Sequence, residues 1–207
     1  MDTPQARRDL ALIADIVRKT RMRLDPHAFH FVHWGLIVTA WFPVGNLLQL
    51  QGRTAALIGL NIGCVALGTA ITIVREALLA RRPRLPGEDT FLTRQVTLVV
   101  YAVIAATLVL SAVAPATGLI RGENVPILWG LGYAIIAFMT GVVYGRDFLY
   151  SGVVIFLGCI LAILFQPWNG FILGPFMGLG MIVPGLRAER RVRRMLEDEV
   201  GSQPEPV

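Results

Sequence analysis

The sequence predicts an all-α fold: a polytopic membrane protein with six transmembrane helices, preceded by a cytoplasmic amphipathic helix. Three observations carry that expectation. Hydrophobic residues make up 55% of the 207-residue chain and charged residues only 16%, which is far from the balance of an ordinary soluble domain. The charges are clustered, leaving uncharged intervals at 26–52, 54–74, 95–120, 124–145 and 148–186. Each interval can supply the roughly 20 helical residues that cross a hydrocarbon core of about 30 Å. Finally, the basic residues fall unevenly over the connecting segments. A six-span arrangement places 17 on one side and two, Arg53 and Arg121, on the other.

Residues 1–25 read as a cytoplasmic amphipathic helix. Thr3 suits the N-cap and Pro4 the first turn. At helical periodicity Ala6, Leu10, Ile13, Val17 and Leu24 share one stripe, with Arg8, Asp15, Arg18 and Lys19 opposite. Two fates suit the stripe: burial in the inner interface or against the protein's own loops, or docking to a partner helix through Leu10, Ile13 and Val17. Asp25 and Pro26 repeat the cap-and-proline signal, so span one starts afresh. No cleavable signal is expected, because the first 25 residues are charged and the apolar run after them exceeds a signal-peptide core.

The six-helix transmembrane domain occupies 26–186, with spans expected near 29–50, 54–74, 95–114, 125–145, 148–166 and 169–186. The last uncharged interval is divided in two because "QPWNG" at 166–170 is a turn signal. Treating it as one span would cut the basic asymmetry to 12 against seven. Since Lys and Arg flank spans on the cytoplasmic side, the six-span reading places both termini in the cytoplasm. The pI of about 9.9 then reflects topology and anionic lipid, with no nucleic-acid partner. Residues 187–207 read as a cytoplasmic basic helix followed by a disordered tail, "GSQPEPV". None of the extramembrane pieces is large enough to bury a core of its own.

Chemistry-bearing residues are few. "DPHAFHFVHWG" at 25–35 contains every histidine of the chain, His27, His30 and His33. They step round a helix by about 60° per interval, and about 9 Å of rise separates the first from the third, so one zinc ion does not readily take all three. Three roles are open: a structural role at the membrane entry, pH sensing, or a metal or haem site through His30 and His33. The first is favoured, and no cofactor is expected. Cys64 and Cys159 have no partner cysteine at a metal or redox spacing and read as small packing residues.

No acidic or basic residue falls inside an expected span, which counts against an ion-coupled carrier. The uncharged polar candidates for an intramembrane site are Asn46, Gln49 and Asn61, with Thr69, Thr72, Thr107, Ser111 and Thr140; helix-to-helix hydrogen bonding is the plainer role. Small residues recur every fourth position at Ala55, Gly59 and Gly63, at Ala137, Gly141 and Gly145, and at Gly170, Gly174 and Gly178. These thin faces suit close helix packing within a bundle or between subunits. Pro43, Pro175 and Pro184 should kink their spans, with packing preferred over a cavity. "WGL" at 34–36 and 129–131 gives only a faint echo between the halves.

Taken together, the short helix before "FVHWGLIVTA", the "YGRDFLYSGVVIFLGCILAILF" block and the closing "GMIVPGLRAER" resemble a family of small uncharacterised bacterial integral membrane proteins. Arg146, Phe148, Tyr150 and the Pro184–Gly185 pair match it best, whereas the histidine cluster departs from it. The resemblance implies an inner-membrane protein with an accessory or regulatory role, since some members are encoded beside winged-helix regulators; it carries over no catalytic residue. The leading expectation is therefore a non-enzymatic subunit acting through helix association, with itself or another membrane protein. The alternative is a transporter or channel for a small neutral solute using Asn46, Gln49 and Asn61.

Overall fold

The computed structural model describes residues 28–80 and 91–201. They form six long helices and one short 3-10 turn, with no strand among the described residues. In chain order these are α1 (Ala28–Leu50), α2 (Thr54–Ala80), α3 (Phe91–Ala116), the turn Gly122–Asn124, α4 (Val125–Tyr144), α5 (Arg146–Leu164) and α6 (Asn169–Gly201). All six helices contain a segment long and apolar enough to cross a membrane. The 166–170 turn signal separates α5 from α6, so the last uncharged interval does hold two helices.

One boundary moves in a way that matters. The second span was expected to stop at 74, but α2 runs on through Arg75 and Glu76 to Ala80, and the apolar segment Thr54–Leu78 includes both charges. Arg and Glu are good helix formers, and the next proline is Pro83. The first charges after the uncharged run therefore do not mark a helix end. α6 likewise continues past Arg187 to Gly201. Leu10, Ile13, Val17 and His27, the segment 81–90 between α2 and α3, and residues 202–207 lie outside the described residues.

α1 and α6 make the most extensive contact, and glycine is the reason they come so close. A Cβ on Gly170 would meet the Phe42 carbonyl at 2.5 Å, one on Gly174 the Pro43 ring at 2.6 Å, and one on Gly185 Val32 at 2.8 Å. A Cβ on Gly178 would collide with the Thr39 hydroxyl, and one on Gly35 would meet Ile182 at 2.8 Å. As numbering rises along α1 it falls along α6, so the pair is antiparallel. Pro43 sits in this seam, in line with its expected packing role.

α4 and α5 form a hairpin whose connection is Gly145 alone, at φ +127° and ψ 171°, a conformation essentially reserved for glycine. A Cβ on Gly141 would meet the Leu149 backbone nitrogen at 2.5 Å. α5 then packs on α6 through Gly158 against Phe176 and Gly180 against Ile155, and the Ser151 hydroxyl donates to the Gly180 carbonyl. The resulting four-helix core centres on Val38, Ala137, Ile155, Cys159, Leu173, Met177 and Met181. Cys159 packs its sulfur toward Gly130, as a small core residue should.

α2 and α3 stand outside this core. α2 packs chiefly on α1, and α3 chiefly on α4. Only 6% of the most apolar stretch of each is buried, against 33–44% in the other four helices. Ile62, Leu67, Ile73, Leu98, Tyr101 and Val109 are each more than half exposed. A surface this apolar over whole helices does not suit water.

Candidate functional site at the junction of α1 and α2

Where the start of α1 meets the end of α2, polar groups from both helices converge on the histidine cluster. Residues 29, 30 and 33 of α1 lie level with 72, 75 and 76 of α2. On α2 those three positions are spaced by three and four, which places them on neighbouring parts of one face.

His33 is buried at 7% exposure, and both its ring nitrogens are engaged. Nδ1 lies 3.0 Å from the Phe29 carbonyl, which can only accept, so Nδ1 carries a proton and donates. Nε2 lies 3.2 Å from the Thr72 hydroxyl, and in the neutral ring it accepts from that hydroxyl. His30 donates from Nε2 to Glu76 Oε1 at 2.9 Å. The two imidazoles approach with centroids 5.4 Å apart, tilted by 64°, and Phe29 stacks on His33 at 4.9 Å.

Arg75 completes the cluster. Its guanidinium carbon lies 4.0 Å from the centre of the Phe29 ring, a cation–π contact. Its Nε is buried without a hydrogen-bond partner, and no carboxylate among the described residues pairs with it. Beside it an open groove of about 410 Å³ runs along the outer face of the pair, lined by Phe29, Ala70, Ile71, Val74, Arg75 and Leu78. Every lining side chain but Arg75 is apolar.

His30 and His33 are therefore brought together, as their spacing implied, but each is directed to a different partner. Among the described residues no three His, Cys, Asp or Glu side chains gather where they could hold a metal ion. The participation of Arg75 and Glu76 was missed in the sequence. The available signal was the Thr72, Arg75, Glu76 spacing at the end of an antiparallel neighbour of α1.

The other polar candidates are dispersed. Asn46, buried at 5% exposure, donates from Nδ2 to the Pro167 carbonyl at 2.9 Å, which fastens the α5–α6 turn to α1. The same end is tied by Asn169 Nδ2 to the Glu123 carbonyl at 2.6 Å and by Gln166 Nε2 to Asn124 Oδ1 at 2.6 Å. Asn61, on the exposed side of α2, accepts from the Trp41 indole at 2.7 Å. Gln49 is half-buried on the last turn of α1. Asn46 and Asn61 thus serve two different seams. Thr107, Ser111 and Thr140 each donate back to a carbonyl four residues earlier in their own helix.

α1, α5 and α6 are also joined at the histidine end of the bundle. Phe31 of α1 packs edge-on against Phe148 of α5 with centroids 4.9 Å apart, Gly185 of α6 lies on Val32, and Asp147 accepts from Arg191 at 2.6 Å. Comparison of the chain with known proteins finds no matching protein family, curated protein or solved structure.

Proposed function

We propose that this chain is a multi-pass protein of the bacterial inner membrane, with both termini cytoplasmic, that acts without catalysis as an accessory or regulatory subunit through helix association. The observation that carries this reading is the attachment of α2 and α3, each held to the core by essentially one neighbour and otherwise presenting apolar surface. A helix bound on one side keeps the rest of its circumference for another protein or for lipid. On α2 the thin face continues into this surface, because a Cβ on Gly59 or Gly63 would meet nothing within 4 Å. The same fourfold spacing on α6 is consumed inside the bundle by α1. Open glycine faces of this kind let a second helix approach closely in lipid, where dispersion and interhelical hydrogen bonds replace the hydrophobic drive. The family resemblance points to the same accessory role, and the expected Leu10, Ile13 and Val17 stripe offers a cytoplasmic contact.

The test separates assembly from folding. A tryptophan at position 63 fits the isolated chain, so Gly63→Trp should leave the bundle's thermal unfolding unchanged while displacing the partner crosslinked to α2 in native membranes. The triple change of Leu10, Ile13 and Val17 to Glu should release a partner held at the cytoplasmic face. A complex that survives both variants would overturn the association reading. Solute flux in reconstituted vesicles, abolished by Asn61→Leu, would establish transport in its place.

A further inference from the structure

We infer that the groove between α1 and α2 is a binding site for one anionic phospholipid, whose phosphodiester is held by Arg75 and whose acyl chain lies along Ile71 and Val74. The inference rests on the membrane part of the reading above and is independent of any protein partner.

Three features of the site converge on such a ligand. The first is its composition: five apolar side chains and one cation, the complement of a chain-plus-phosphate molecule. The second is its position. α2 enters the bundle from the end marked by Arg53 and leaves it near Arg75, so a lipid whose headgroup reaches Arg75 has its chain running back toward Ala70. From Arg75 to Ala70 the helix rises about 7.5 Å, which places Ala70, Ile71 and Val74 on the hydrocarbon side of the charge, while Leu78 lies beyond it.

The third feature is the state of Arg75. Its guanidinium carbon lies over the Phe29 ring at 4.0 Å and its Nε is buried with no acceptor, so the side chain is held in place while its charge has no counter-ion among the described residues. Glu76, the nearest carboxylate in sequence, is turned about 100° round the helix and engaged by His30. A phosphodiester supplies the missing acceptors, and Arg is suited to binding both of its unesterified oxygens at once.

Native mass spectrometry of the full chain, released from detergent in an equimolar mixture of phosphatidylglycerol and phosphatidylcholine, reads this directly. Wild type should retain one phosphatidylglycerol in preference to phosphatidylcholine. Arg75→Gln should lower that retention about fivefold, the factor expected for one basic side chain at an anionic surface, and Arg75→Lys, which keeps the charge but loses the two parallel donors, should fall between wild type and Arg75→Gln. Arg53→Gln makes the same charge change at the opposite end of α2 and should have no effect. Val74→Trp should displace the lipid while leaving Arg75 intact, and addition of inorganic phosphate alone should not compete. Equal retention of the two lipids by wild type, or unchanged retention in Arg75→Gln, would overturn the site. So would phosphatidylglycerol binding that emerges only when residues 1–25 are deleted, since the chain's own N-terminus would then be the occupant. Loss of the protein from the membrane fraction would instead refute the membrane reading on which the site depends.

Discussion

His33 shows how much one side chain can settle in an apolar setting. Its Nδ1 closes a hydrogen bond within α1 and its Nε2 reaches across to α2, so the ring acts as a tie between helices and has no nitrogen to spare. Replacing it by Phe, replacing Thr72 by Val, and combining the two should give a coupling energy near 0.6 kcal/mol, within a ceiling of about 1.7 kcal/mol seen for such bonds in membranes. Thermal unfolding in detergent reads the cycle; strictly additive effects would show that the pair contributes nothing as a pair. Glycines give a second contrast at this scale. Gly170→Ala must push against the Phe42 carbonyl and the Asn46 side chain and should cost about 1–3 kcal/mol by overpacking. Gly63→Ala meets open space and should be neutral or stabilise by up to about 1 kcal/mol through helix propensity. Both values come from the same unfolding measurement.

Among the elements, α2 is the one whose sequence and surroundings diverge most. Its charge-free length made the helix legible, because length and composition are local properties. Its neighbours were not legible. Ala55, Gly59 and Gly63 show the same spacing as Gly170, Gly174 and Gly178, yet only the α6 set lies in a seam, because α6 faces two other core helices and α2 does not. The glycines that matter on and around α2, Gly68 under the Trp34 ring and Gly45 near Leu57, follow no spacing rule. Asn46 and Asn61 were likewise recognisable as polar groups within apolar helices, but whether each meets a loop carbonyl or an indole depends on helix rotation, which periodicity does not fix when every face is apolar. The attachment of α2 makes its own prediction. Gly68→Leu should drive Trp34 off α2 and widen the distance between spin labels on α1 and α2, while labels on α4 and α5 keep their separation. Equal broadening of both distances would mean that α2 is an integral part of the core.

At the scale of the whole molecule, the number of helices and the placing of charge agree. Both described chain ends belong to the end of the bundle that holds Arg75, Asp147 and Arg187, and the connection around Gly118 and Arg121 belongs to the other. Labels attached before residue 28 and after residue 201 should therefore react from the same side of a sealed vesicle, and a cysteine at Gly118 only from the opposite side. Labelling of the two termini from opposite sides would remove the six-span topology. The number of long apolar helices was legible because each uncharged run is long enough for one, and the 166–170 turn signal divides the longest. The division into four core helices and two outer ones was not, because α3, with mean hydropathy 2.5, and α6, with 1.5, have their burial in the reverse order of their apolar character.

The α1–α6 seam also has a meaning in time. A ribosome delivers α1 before α6, so the surface against which α1 packs most extensively does not exist until the helices between them have been made. Until then Asn46, His33 and the notch at Gly35 lack the packing they have in the finished bundle, and a chain stopped anywhere before Asn169 leaves α1 without its main neighbour. Truncation before Asn169 should therefore be felt first in α1, the helix whose main neighbour α6 supplies.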